Sequence, residues 1–117
     1  MEIHMTFRKM EPSQAIKKYV ETKTQRFKRF LHEPIEVHAV LKVQKIRQLA
    51  EVTVTAKNFR FHGVEESPDM YASIDLVADK IERQLKKHKE KIKTHKSVPS
   101  LQQVTAILAR SQEMPSE

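Results

Sequence analysis

Eight lysines and arginines stand between residues 80 and 96 against two glutamates, a local net of +6 in a chain whose total is +7. Such a concentration of one sign attracts polyanions. On a helical wheel, Lys80, Arg83, Lys87 and Lys91 share one narrow sector, with Lys86 on the adjacent side. Asp75, Asp79 and Glu82 fall together on the other flank, so this helix has an apolar, a basic and an acidic face. A merely solvated helix gains more from mixing its signs at i,i+4 spacing. Macrodipole preference accounts for a cation or two at a helix end, not for eight. The chemistry implied is phosphate neutralisation, which weakens steeply with salt. An earlier helix adds Lys18, Arg26 and Arg29 on a common sector; side by side, the two basic sectors would wall a groove for a phosphate backbone. Lys42, Lys45 and Arg47 either extend that footprint or form a solvated hairpin. Lys23 interrupts an apolar stripe and has two readings: its ammonium snorkels to an edge, or it points between the helices at phosphate.

Other chemistry finds little support. The six histidines show no H-x-x-x-H or comparable ligand spacing, and each reads as a scattered surface residue except His88, on an apolar helix face. A single glycine, Gly63, rules out a glycine-rich phosphate loop. With no nucleophile motif and no paired carboxylates, the chain reads as a non-enzyme without catalytic residues, metal, cofactor or small-molecule substrate.

The elements that position the cations follow from periodicity. Glu2–Phe7 alternates as a first strand. Ser13, after Pro12, caps a helix running to about Leu31, with Ile16, Val20, Phe27 and Leu31 as its stripe. Ile35–Gln44 and Glu51–Ala56 alternate as strands, with residues 45–49 as a loop or the extended ends of a long hairpin. A tight turn at Lys57-Asn58, where Asn tolerates positive φ, leads into Phe59–Val64. The last helix starts with Ser67 as N-cap and Pro68 at its first position. Its stripe is Met70, Ile74, Val77, Ala78, Ile81, Leu85 and Ile92, with His88 in the same sector. At about 42 Å it exceeds what the sheet needs, so its basic end projects. Tyr71 lies off the stripe centre and packs at an edge or offers its hydroxyl to a nucleotide.

The fold expected is α+β in the order β-α-β-β-β-α: a four-stranded sheet with both helices on one face, the last three strands a meander and the first at an edge. At 117 residues the chain holds one domain, placed at 1–96, with a tail at 97–117 that is flexible or a short helix around Leu101, Val104, Ile107 and Leu108. Absence of cysteine excludes a disulfide framework. No run is long and apolar enough for a membrane span or a signal peptide, and the cytoplasm is the expected location.

Asp69-Met70-Tyr71-Ala72-Ser73-Ile74-Asp75, then Asp79-Lys80-Ile81-Glu82-Arg83-Gln84-Leu85 and Lys87-His88-Lys89, resemble the short ribosome hibernation promoting factors, a family that includes the ribosome-associated inhibitor protein Y. Val40-Leu41-Lys42-Val43 and Tyr19-Val20-Glu21-Thr22-Lys23 fit the same pattern, and the resemblance covers residues 1 to about 96. It implies a fold similar to double-stranded-RNA-binding domains. It implies binding to 16S rRNA of the small ribosomal subunit near the decoding centre, blocking messenger and transfer RNA in stationary phase. It implies a factor that is monomeric off the ribosome and that either works with a separate modulation factor to form ribosome dimers or only silences single ribosomes. Carried over by position, Lys80, Arg83, Lys86, Lys87, Lys91, Lys23 and Arg26 would face ribosomal RNA. Phe7 stands where relatives often have Gly, and Pro12 replaces a branched apolar residue. Two other classes compete: a general double-stranded-RNA-binding module, and a protein-interaction regulator of an alternative sigma factor.

Overall fold

The computed structural model describes residues 1–95, with side chains described through Lys91. The tail and the side chain of Ile92 lie outside those residues. The elements are β1 (Glu2–Arg8), α1 (Gln14–Thr24), a 3-10 helix (Gln25–Arg29), β2 (Ile35–Gln44), β3 (Arg47–Ala56), β4 (Phe59–Ser67) and α2 (Met70–His95). The four strands lie in sequence order in one mixed sheet, β1 parallel to β2 and the other neighbours antiparallel. Alternation sends Ile35, Val37, Ala39 and Leu41 of β2 and Ala50, Val52, Val54 and Ala56 of β3 to the face beneath the helices. Met70, Ile74, Val77, Ala78, Ile81 and Leu85 close that core from α2; Ile16, Val20 and Phe27 close it from the first helical segment. Among the described residues no helix is long and apolar enough to cross a membrane.

Residues 45–49 resolve as the ends of a long hairpin. Gln44 pairs with Arg47, leaving Lys45-Ile46 as the turn. In the next turn the positive φ falls on Lys57 (53°) rather than on Asn58, because Ala56 pairs with Phe59 and the two-residue link reverses at its first position. A side chain there is strained by about 1 kcal/mol. Lys57→Gly should raise stability by roughly 0.5–1 kcal/mol in guanidinium melts, the relief exceeding the added flexibility of the unfolded chain.

Both helices start or end differently from their sequence signals. Ser13 caps α1 as expected, its Oγ accepting from Ile16 N at 3.2 Å. The α-helix stops at Thr24, well short of Leu31. The buried Thr24 hydroxyl donates back to the Val20 carbonyl at 2.8 Å, a competing bond that weakens helical continuation. The following 3-10 turn is tighter, and it carries Phe27 into the core, where it is fully buried. α2 begins at Met70, not at Pro68: Ser67 is still paired to Gln48 in β4, and Asp69 accepts from Tyr71 N through Oδ1 and from Ser73 N through its carbonyl. Ser73, fully buried, sends its hydroxyl to the Gln48 carbonyl at 2.6 Å and so ties α2 to β3.

Candidate nucleic-acid interface

α2 meets α1 along its acidic flank. Tyr19 Oη donates to Asp75 Oδ1 at 2.5 Å, and the Lys23 ammonium stands 3.1 Å from the same oxygen. Tyr71 packs edge-to-face on Tyr19 with centroids 5.0 Å apart. One turn further along, Arg26 Nη1 lies 3.5 Å from Glu82 Oε1. Two of the three carboxylates segregated in the sequence, Asp75 and Glu82, are therefore used between the helices. Lys23 does lie between the helices, but its charge is matched by Asp75, and Arg26 is partly matched by Glu82.

The same contacts order the titrations. Burial works against the Asp75 carboxylate, but the Tyr19 and Lys23 hydrogen bonds outweigh it and hold the group below its ordinary pKa. The hydrogen bond to Asp75 raises both Tyr19 and Lys23. A lowered carboxylate stabilises the fold above its unfolded pKa, and that contribution disappears as pH falls through the folded value. Asp75→Asn should therefore cost about 1 kcal/mol at pH 7. The gap between variant and parent in urea melts should close in acid, below the ordinary carboxylate range.

The basic stripe sits on the side of α2 away from α1. Lys80 leans over β4, its Nζ 3.6 Å from Glu65 Oε2 and its stem above Gly63. Arg83, Lys86 and Lys87 are exposed and, among the described residues, form no ion pair. The flank facing α1 also changes sign along its length: Asp75, Asp79 and Glu82 give way to Lys86 and Lys89. A shallow groove lined by Arg26, Asp79, Glu82, Arg83 and Lys86 marks the changeover. Beyond it Lys89 donates to the Arg29 carbonyl at 3.2 Å and lies over the Phe30 ring. In the 3-10 turn Arg26 and Arg29, three residues apart, lie on one side. The expected groove with two uniformly basic walls is thus corrected. It is charge-paired as far as Arg26 and Glu82 and becomes basic beyond them, where Arg29 meets Lys89.

The hairpin cations stand elsewhere. Phe59 and Phe61 at the start of β4 pack on His88 of α2, with centroids 4.1 and 5.3 Å away, so the basic end of α2 overhangs the edge where β3 meets β4. Lys45 and Arg47 lie at the opposite pole, about 30 Å off along a ten-residue strand. Arg47 there pairs with Glu66 at 3.1 Å. Lys42, opposite Arg8 in register, falls on the sheet face away from the helices. They do not extend the α2 patch. Lys18 is exposed on α1 and forms no ion pair among the described residues. Burial beneath the two phenylalanines lowers the His88 pKa, helped by Lys91. A depressed imidazole favours the fold above the unfolded His range and loses that favour as pH drops below it.

Sequence spacing missed one constellation. The parallel register sets His4 beside His38 and Glu2 beside Glu36 on the open sheet face, 34 residues apart in the chain. The only sequence signal for it was that each histidine occupied an outward position of an alternating strand.

The family described as "Sigma 54 modulation protein / S30EA ribosomal protein" matches residues 3–93. The ribosome hibernation promoting factor of Salmonella typhimurium is 34% identical over 95 residues, covering 81% of this chain and all of that one. That of Azotobacter vinelandii is 36% identical over 91 residues, 78% of this chain and 85% of the relative. Among solved structures, the N-terminal domain of Thermus thermophilus protein Y superposes with a TM-score of 0.70 at 30% identity, over 75% of this chain and 99% of that one. A ribosomal subunit interface protein from Coxiella burnetii gives 0.67 at 28% identity, over 77% and 99%.

Proposed function

Because this chain belongs to the Sigma 54 modulation protein / S30EA ribosomal protein family, whose relatives are ribosome hibernation promoting factors, we propose that it silences idle ribosomes by occupying the small subunit. The second half of α2, with Arg26 and Arg29 beside it, seats on 16S rRNA near the decoding centre. The folded body then excludes messenger and transfer RNA by its volume, with no chemical step. The observation that carries this reading is the separation of charge on α2. Asp75 and Glu82 are matched by Lys23 and Arg26, while Arg83, Lys86 and Lys87 stay exposed. Cations on a helix recognise A-form RNA through phosphate position and groove shape rather than base identity. The protein acts in the cytoplasm, as a monomer until it meets the ribosome, and joins a separate modulation factor when ribosomes pair.

Sucrose-gradient sedimentation of stationary-phase lysate tests it. The protein should travel with the small subunit and with whole ribosomes at low salt and leave them as salt rises. Remaining at the top of the gradient at low salt refutes ribosome binding. The family description also mentions sigma-54 modulation; an acidic protein partner would stay bound after nuclease treatment, whereas ribosome association would not.

A further inference from the structure

The open face of the sheet carries a second constellation, unrelated to the basic helix. In-register parallel pairing stacks Glu2 against Glu36 and His4 against His38, a two-by-two array on neighbouring strands. The two imidazole rings lie nearly parallel, 17° apart with centroids separated by 4.8 Å. Glu36 spans them, one carboxylate oxygen 3.7 Å from His4 Nε2 and the other 3.3 Å from His38 Nε2. Glu2 Oε1 approaches His4 Nε2 at 3.3 Å. The ligand atoms of His4, Glu36 and His38 all lie within 4.8 Å of one another.

We propose that Glu2, His4, Glu36 and His38 bind a divalent transition-metal ion of the zinc type. The argument is one of size and donor chemistry. A tetrahedral zinc site has metal–ligand bonds of about 2.0–2.2 Å, which puts its ligand atoms roughly 3.3–3.6 Å apart. Two of the contacts, Glu2 Oε1 to His4 Nε2 and Glu36 Oε1 to His38 Nε2, both at 3.3 Å, already match that edge length, while the other Glu36 oxygen stands 3.7 Å from His4 Nε2. Two imidazoles select zinc, copper or nickel over magnesium and calcium, which prefer oxygen-only shells. Two carboxylates balance the ion's charge. The backbone does the preorganising, since strand pairing alone holds the donors together. The four side chains are 47–70% exposed, so an ion can enter directly from solvent. A bound ion joins the edge strand β1, whose one neighbour among the described residues is β2, to that strand.

Zinc titrated calorimetrically into tag-free full-length protein at neutral pH is the test, followed by cobalt substitution and visible absorption. The expected result is saturable one-to-one binding, with the intense d–d bands of a four-coordinate site. His4→Ala and His38→Ala should each weaken binding at least tenfold. His62→Ala should not; His62 pairs with Glu51 at 2.7 Å on the same face but is separated from His38 by Thr53 on the intervening strand. Absence of saturable binding, or equal loss in all three variants, overturns the proposal. His4→Gln and His38→Gln, which keep a polar side chain on the strand, guard against a folding artefact: they should melt like the parent without zinc and fail to gain stability from it. A zinc-induced rise in melting temperature that survives in both also overturns the proposal.

Discussion

Replacing Arg83, Lys86 and Lys87 with glutamate should abolish co-sedimentation with the small ribosomal subunit while the domain stays folded. All three side chains are exposed, and none forms an ion pair among the described residues, so the fold loses little directly. Glu82 and Glu90 lie near the substituted positions, and like-charge neighbours cost a few tenths of a kcal/mol each. Binding loses far more. On the proposed interface three phosphate contacts would turn from attraction with counterion release into repulsion, and affinity should fall about 100-fold or further at low salt. The corresponding glutamine triple variant isolates the attractive part: it should flatten the slope of log affinity against log salt by about 2–3. Filter binding across a salt series checks both. If Lys45→Glu with Arg47→Glu lowers affinity as much, net charge rather than the α2 face governs binding, because those two lie at the opposite pole.

Phe27→Ala should cost about 3–5 kcal/mol, the usual range for truncating a buried phenylalanine. Phe27 is fully buried and packs into the core cluster. For a domain of this size a loss of 3 kcal/mol lowers the melting temperature by roughly 12 °C or more, and against a total of about 5–15 kcal/mol it can leave the chain largely unfolded at 37 °C. Phe27→Leu keeps most of the volume and should cost about half as much, giving a folded comparison. Arg26 and Arg29 flank Phe27 in the 3-10 turn, and its insertion fixes where they stand. Phe27→Leu should therefore also weaken ribosome binding modestly without altering any charge. Thermal melts and filter binding on the same preparations check the pair. A buried aromatic whose loss left the melting curve unmoved would show that the 3-10 segment does not anchor the core.

Much of this architecture is legible in periodicity. The four strands, the helical face of Met70, Ile74, Val77, Ala78, Ile81 and Leu85, and the edge position of β1 match their alternation and spacing. Those signals are strong because one buried face dictates residue type at every second or every third-to-fourth position. Boundaries were less legible. Ser67 and Pro68 have the chemistry of a helix start, yet β-pairing to Gln48 claims Ser67 first, and Asp69 becomes the cap. Lys23 looked like a break in the apolar stripe. The stripe in fact runs through Thr24 to Phe27, and Lys23 sits on its flank facing Asp75.

By itself the sequence determined the order of the main elements, most of the core residues and the sorting of charge around α2, since each depends on neighbours within one helix or strand. Only the tertiary structure decided which flank of α2 faces α1. That choice pairs Asp75 and Glu82 with Lys23 and Arg26 and leaves the basic stripe outward, turning an expected two-walled groove into a patch beyond the end of α1. Strand register decided the rest: it separated Lys45 and Arg47 from the basic end of α2, turned Lys42 to the far face, and gathered Glu2, His4, Glu36 and His38. Spacing along the chain cannot show such contacts, because register is fixed by the burial of the opposite face and carries the outward side chains with it.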